Sequence, residues 1–174
     1  MFGSPETHLS LARSTAQAGV RVLLPRYRLA PEHPWPAMLD DALTATEAIA
    51  ATGPYVVGGV SAGGHLALAV ALRRPPNLCG VALLSPNTDR SGLSRTREPL
   101  SSVDPMNDAG ADAELTALAF GDRDPADPEV SPLLADVAGL APLHIEVGSL
   151  EVLLDDSLLL ARSAAIQGLP LTSW

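Results

Sequence analysis

Gly59-Val60-Ser61-Ala62-Gly63 is a G-x-S-x-G run. The apolar segment Pro54-Tyr55-Val56-Val57-Gly58 precedes it, and His65-Leu66-Ala67-Leu68-Ala69-Val70-Ala71-Leu72 follows with a helix-like composition. A serine at such a strand-to-helix turn sits in a poor backbone region, with its hydroxyl exposed at the top of a sheet. Glycines flank it because larger residues would clash with the neighbouring strand and helix. The chemistry this suits is acyl transfer: Ser61 as nucleophile, with the Ala62 N–H pointing to where an oxyanion would form.

The remaining reactive residue types narrow the options. Every one of the eleven basic residues is Arg. A P-loop lysine, a Schiff-base lysine and a Ser-Lys dyad are therefore excluded. The single cysteine, Cys79, cannot form an intramolecular disulfide; within Cys79-Gly80-Val81-Ala82-Leu83-Leu84 it reads as a small core residue of a buried strand. No pair of His8, His33, His65 and His144 has metal-ligand spacing, and Asp122, Asp124 and Asp127 lack the calcium-loop pattern. No metal and no cofactor are expected. The Gly58-to-Gly64 run matches neither nucleotide-binding loop pattern.

The elements that must position Ser61 follow from punctuation and periodicity. Helices are predicted over 6–18, Asp40 to Ala51, 62–73, Ala111–Phe120 and Asp155 to Gln167. Strands are predicted over 20–25, 55–58, 79–84, Leu143 to Gly148 and from Leu169 onward. Gly19, Gly53-Pro54, Arg73-Arg74-Pro75-Pro76 and Gly168 are the stops. Continuous apolar strands alternating with helices predict an α/β fold with a parallel sheet covered on both faces. Residues 86–130, rich in Asp, Pro, Ser and Arg, break the rhythm and read as a lid-like or cap-like insertion within a single domain of residues 1–174. The 47 % apolar content supports a packed core, and at 3 % aromatics that core must be Leu, Val and Ala. A net charge of −9 disfavours nucleic acid and anionic membrane surfaces as partners. No apolar run approaches the ~18 residues of a membrane span. The N-terminus lacks a signal-peptide pattern, so a cytoplasmic location is the expectation.

Several segments together resemble the hormone-sensitive-lipase-like branch of the α/β-hydrolases, a family of microbial carboxylesterases and acetyl hydrolases. They are Gly3-Ser4-Pro5-Glu6-Thr7-His8, Tyr27-Arg28-Leu29-Ala30-Pro31-Glu32-His33-Pro34-Trp35-Pro36-Ala37, Gly59 to His65, Ser131-Pro132-Leu133 and Glu151-Val152-Leu153-Leu154-Asp155-Asp156-Ser157. The resemblance implies hydrolysis of short- to medium-chain acyl esters through an acyl-enzyme on Ser61. It also implies an acid just after a strand. Glu151 fits that Asp/Glu-x-Leu-x-Asp pattern, while a rival register puts Leu150 at the acid position. Asp155 and Asp156 are expected to cap the helix that follows. The substrate is a small-molecule ester; a homo-oligomer stays open.

The same resemblance implies a His-Gly-Gly loop ahead of Gly3 and a catalytic His one helix and one strand beyond the acid. Met1-Phe2 stands at the first position, and the sequence reaches Trp174 before the second. None of the four histidines suits the role of general base, each reading better as structural. The expectation is therefore an incomplete hydrolase core, inactive by itself. Its strands 20–25 and 55–58 would be held one strand apart, about 10 Å, leaving the isolated chain unstable, prone to aggregate, or with its sheet closed in a non-family order. A non-catalytic small-molecule binder, or a decayed remnant, on the same scaffold is the alternative.

Overall fold

The computed structural model describes residues 4–173. Met1-Phe2-Gly3 and Trp174, which figure in the resemblance and in the last strand, lie outside them. A 3-10 turn, Pro5–His8, leads into α1 (Leu9–Ala16). Then follow α2 (Ala37–Ala50), β1 (Tyr55–Val60), α3 (Ala62–Leu72), β2 (Leu78–Leu84), α4 (Arg97–Leu100), α5 (Ala109–Phe120), β3 (Leu143–Glu146), α6 (Leu154–Ile166) and β4 (Leu171–Ser173). The four strands form one sheet in the order β1-β2-β3-β4, all pairs parallel. Each crossover runs through helical chain, as parallel pairing requires.

The core lies between the sheet and α3 and α6. Val81 and Leu83 of β2 and Leu143 and Ile145 of β3 project toward Leu68 and Ala71 of α3 and toward Leu160 and Ala164 of α6. Leu68, Leu83 and Leu160 are fully buried, each contributing about 1.5–3 kcal/mol relative to exposure. Every residue of α3 from Gly64 to Ala71 is buried, which explains why its sequence is apolar all round. A second cluster joins α2 to α3 through Met38, Leu39, Leu66 and Val70, and brings in Trp35, Phe120 and Val130. On the opposite sheet face Val56 is 60 % exposed, and the His144 and Glu146 side chains are partly in solvent.

Two sequence expectations fail. Residues 20–25 form no strand; they run as irregular chain with Val20 and Leu23 about half exposed. The only strand paired with β1 among the described residues is β2, so nothing there recruits the 20–25 segment into the sheet. The expected one-strand gap is replaced by an open edge on β1. Cys79 does lie on β2, but it is exposed. Pairing with β3 starts only at Val81, so the first residues of β2 extend past their neighbour and out of the core.

Candidate active site

Ser61 joins β1 directly to α3 with φ 53° and ψ −116°. This region is sparsely populated by L-residues, costs about 1–3 kcal/mol, and persists only when surroundings enforce it. They do so here. Ser61 N–H donates to the Leu84 carbonyl of β2 at 3.0 Å, and Ser61 O accepts from Gly64 N (2.9 Å), His65 N (3.1 Å) and Asn87 N (3.2 Å). The hydroxyl is the part of the residue left to react. A Cβ on Gly59 would stand 2.1 Å from the Gly63 carbonyl oxygen, and one on Gly64 would stand 2.8 Å from Pro86 Cβ. Gly63 itself has open space around its missing Cβ. The sequence expectation that both motif glycines prevent clashes therefore holds for Gly59, and Gly64 takes the second role. Ala62 begins α3, where the first N–H groups have no partner within the helix and the helix dipole favours negative charge.

Glu151 lies in the loop from β3 to α6. Val60, Leu84 and Glu146 share one row across the sheet, so the serine turn and the acid loop both leave its C-terminal edge. One strand lies between them, about 10 Å from β1 to β3. This edge is where open α/β sheets bind their ligands. Glu151 Oε1 accepts the Gly148 N–H at 2.8 Å, and Glu151 N–H donates to the Gly148 carbonyl at 3.2 Å, closing a tight turn. Leu150, of the rival register, is 59 % exposed and apolar.

Asp155 and Asp156 do not cap α6; the N-cap is Leu153. Asp155 accepts the Arg95 N–H at 2.7 Å. Asp156, fully buried, accepts from Thr88 N (2.7 Å), Asp89 N (2.8 Å) and Ser94 Oγ (2.6 Å) and pairs with Arg97 at 2.8 Å. Arg97 also pairs with Asp112, which in turn accepts from Asn87. Burial pushes the Asp156 carboxyl up, against the pull of Arg97, Ser94 and the two N–H groups. The physical reason for the correction is proximity. The 86–130 segment crosses the start of α6, where the backbone N–H groups of Thr88, Asp89 and Arg95 and the Arg97 guanidinium, shared with Asp112, draw the two carboxylates away from the helix terminus.

The four histidines are dispersed. His8 ends the 3-10 turn, its Nδ1 2.9 Å from Thr7 Oγ1. His33 lies in the proline-rich loop, its N–H donating to the Leu29 carbonyl. His144, on β3, lies with Nδ1 2.9 Å from Thr172 Oγ1 and Nε2 3.6 Å from Glu146. His65 is 3 % exposed, edge-on to Trp35, beside Phe120, with Nδ1 2.9 Å from Arg90 Nη1. Burial, then the Arg90 charge, hold its imidazole well below its ordinary value and therefore neutral. Its Nδ1 thus accepts from Arg90, whose own pKa burial pushes down to about 10.

A strained serine between a parallel strand and a buried helix, at the C-terminal edge of the sheet, is an α/β-hydrolase arrangement, and the family model for the alpha/beta hydrolase fold matches residues 1–173. The chain belongs to the α/β-hydrolase family. The chain is 36 % identical to an esterase of Acinetobacter venetianus over 171 residues, 90 % of this chain and 55 % of that protein. It is 34 % identical to an acetyl-hydrolase of Streptomyces hygroscopicus, over 98 % of this chain and 60 % of the relative. A crystal structure of an esterase from the bacterial hormone-sensitive lipase family superposes with a TM-score of 0.91 at 35 % identity, covering 99 % of this chain and 62 % of that one. The crystal structure of EstE5 soaked with ethyl alcohol gives 0.93 at 34 % identity, over 100 % and 62 %. The hormone-sensitive-lipase-like branch is thus shown. The chain spans 55 % and 60 % of the length of those two curated relatives.

Among the described residues no group of three or more His, Cys, Asp or Glu is placed to hold a metal ion, and no helix is long and apolar enough to cross a membrane. Sequence reasoning missed the polar residues of 86–130 that reach the acid loop: Arg97, Thr96, Asp104 and their partners. The available signal was four arginines, Arg90, Arg95, Arg97 and Arg123, amid Ser, Thr and Asp in a segment too polar to fold on its own core; it shows need for partners without naming them.

Proposed function

We propose that this hydrolase is a serine carboxylesterase acting on short- to medium-chain acyl esters, with Ser61 as nucleophile, Glu151 as the triad acid and the Ala62 N–H as an oxyanion donor. Ser61 Oγ attacks the acyl carbon and loses its proton to a base. The alcohol leaves with that proton, and water then releases the acid from the acyl-serine. The observation that carries the reading is the Ser61 backbone, φ 53° and ψ −116° at the strand–helix junction. Glu151 is supported by its place in a loop at the same sheet edge, with its carboxylate oriented by the Gly148 N–H. Residues 86–130 act as a lid-like insertion, anchored below by Phe120 and Val130 in the core.

None of the four histidines serves as the base. His65 is enclosed by Trp35, Phe120 and Arg90, and His144 is engaged with Thr172 and Glu146. The 174 residues by themselves therefore hydrolyse esters at or near the background rate.

The test is p-nitrophenyl acetate, butyrate and octanoate hydrolysis by the purified chain, with and without added imidazole, beside the Ser61→Ala variant. The expected result is negligible turnover alone and, above the imidazole-only blank, imidazole-dependent turnover with an acyl adduct on the Ser61 peptide, both absent in Ser61→Ala. Imidazole-dependent release that is equal in Ser61→Ala, with no adduct on the unchanged chain, overturns the nucleophile. Rapid turnover without imidazole overturns the claim about the histidines.

A further inference from the structure

Both backbone groups of Val152, the residue after Glu151, are held by the insertion rather than by the acid loop itself. Its N–H donates to Asp104 Oδ2 at 2.9 Å, and its carbonyl accepts the Thr96 hydroxyl at 3.0 Å. Thr96 Oγ1 also accepts the Asp155 N–H at 3.0 Å, so one hydroxyl joins the loop to the first turn of α6. The other oxygen of Asp104 accepts from Met106 N (2.8 Å) and Asn107 N (3.0 Å), tying the carboxylate to its own turn. Val152 is fully buried, where an unpaired peptide group carries its full desolvation cost. With the Val152 peptides fixed on both sides, the Cα of Glu151 has little freedom left, and the Gly148 N–H contact can select one side-chain orientation.

We propose that Asp104 and Thr96 are positioning residues for Glu151: a two-point clamp from the 86–130 insertion on the acid loop sets the direction of the Glu151 carboxylate. The proposal rests on Glu151 being the triad acid only for its catalytic meaning; the clamp is measurable without turnover. A carboxylate that orients an imidazole must be held within about 0.5 Å of the productive geometry. The seven-residue loop between β3 and α6, residues 147–153, gains that precision from contacts outside itself.

The experiment is backbone amide exchange, followed residue by residue by NMR on the full chain, for Asp104→Ala, Asp104→Asn and Thr96→Val. Gly148 is the reporter, because its N–H is bonded to the Glu151 carboxylate and to neither clamp residue. In Asp104→Ala the Val152 and Gly148 amides should both exchange about tenfold faster, the equivalent of one lost buried hydrogen bond. Leu83 and Ile145 in the core should stay as they were. Asp104→Asn keeps one acceptor oxygen for the three N–H groups that the carboxylate serves, so in it the Gly148 amide should follow the Val152 amide, slow where Val152 is slow and fast where Val152 is fast. A released Val152 with unchanged Gly148 would overturn the proposal, since Asp104 would then hold backbone alone; so would a Gly148 amide that parts from Val152 in Asp104→Asn. Should Asp104→Ala raise exchange throughout the core, Thr96→Val decides: faster Gly148 exchange there supports the clamp, and unchanged exchange sinks it. Imidazole-dependent turnover undiminished in Glu151→Gln would remove the catalytic role of Glu151 and leave the exchange result standing.

Discussion

The serine turn and the acid loop leave the same edge of the same sheet, yet they are built in opposite ways. The turn is closed mainly by its own neighbours: Gly59 against the Gly63 carbonyl, and Ser61 O against the N–H groups of Gly64 and His65. The loop is closed by groups far away in sequence: Asp104 to Val152 spans 48 residues and Thr88 to Asp156 spans 68. Steric exclusion holds the first, and directed hydrogen bonds with a buried ion pair hold the second. Sterics fail abruptly when one atom is added, because the repelling group is backbone and cannot move aside. A polar network fails in proportion to the partners it loses.

The largest expected effect therefore lies in the turn. In Gly59→Ala the new Cβ would sit 2.1 Å from a backbone oxygen, closer than any relaxation of a side chain can cure. The strand–helix junction must open, displacing α3 from the core it fills. A loss above about 4 kcal/mol is expected, in the range reserved for severe overpacking or strain, together with loss of Ser61 labelling by p-nitrophenyl acetate and imidazole. Urea denaturation of the variant against the unchanged chain measures the first, and mass spectrometry of the Ser61 peptide the second. A shift under 1 kcal/mol would show that the turn is more deformable than its geometry implies.

The loop should give way more gently. Asp156→Ala removes an acceptor for two backbone N–H groups, Ser94 and Arg97 at once. Breaking a buried ion pair on one side typically costs about 3–5 kcal/mol. Here Arg97 keeps Asp112 and the Asp89 carbonyl, so the low end, about 3 kcal/mol, is expected in the same denaturation experiment. Asp156→Asn should lose less, since it keeps one acceptor oxygen and the buried shape. Equal losses for the two variants would mean that charge, rather than hydrogen-bond count, sets the stability of this network.

The same contrast explains what could be read from the chain alone. Ser61, Ala62 and the helix behind them were legible because a local motif fixes a local turn, and α3 and β2 announced themselves by continuous apolar runs. The strand expected over 20–25 has the right residues, but a strand is made by a neighbour, and among the described residues β1 pairs only with β2. Cys79 looked buried for the same reason: the sequence carries the strand, while the register decides which end of it is covered. Asp155 and Asp156 looked like helix caps because acids at a helix start usually are; here partners about 60 residues upstream in Thr88, Asp89, Ser94 and Arg95 claim them. Glu151 as the acid comes from resemblance alone and stays a proposal, since nothing local distinguishes it from a surface glutamate.

The smallest expected effect sharpens the comparison from within the motif. Gly59 and Gly63 are equivalent in the written pattern and unequal in space: nothing lies within 4 Å of a Cβ built on Gly63. Gly63 sits in the first turn of α3, where alanine is the better helix former by up to about 1 kcal/mol. Gly63→Ala should therefore leave stability unchanged or slightly raised, and should keep imidazole-dependent acylation of Ser61 within about twofold, a difference of about 0.4 kcal/mol. Denaturation and acylation rates on the one variant check both. A stable Gly63→Ala that no longer acylates would point instead to a need for open space above the turn, where the ester must approach the Ala62 N–H. A variant that is both stable and active would leave Gly59 alone as the residue on which the motif depends sterically.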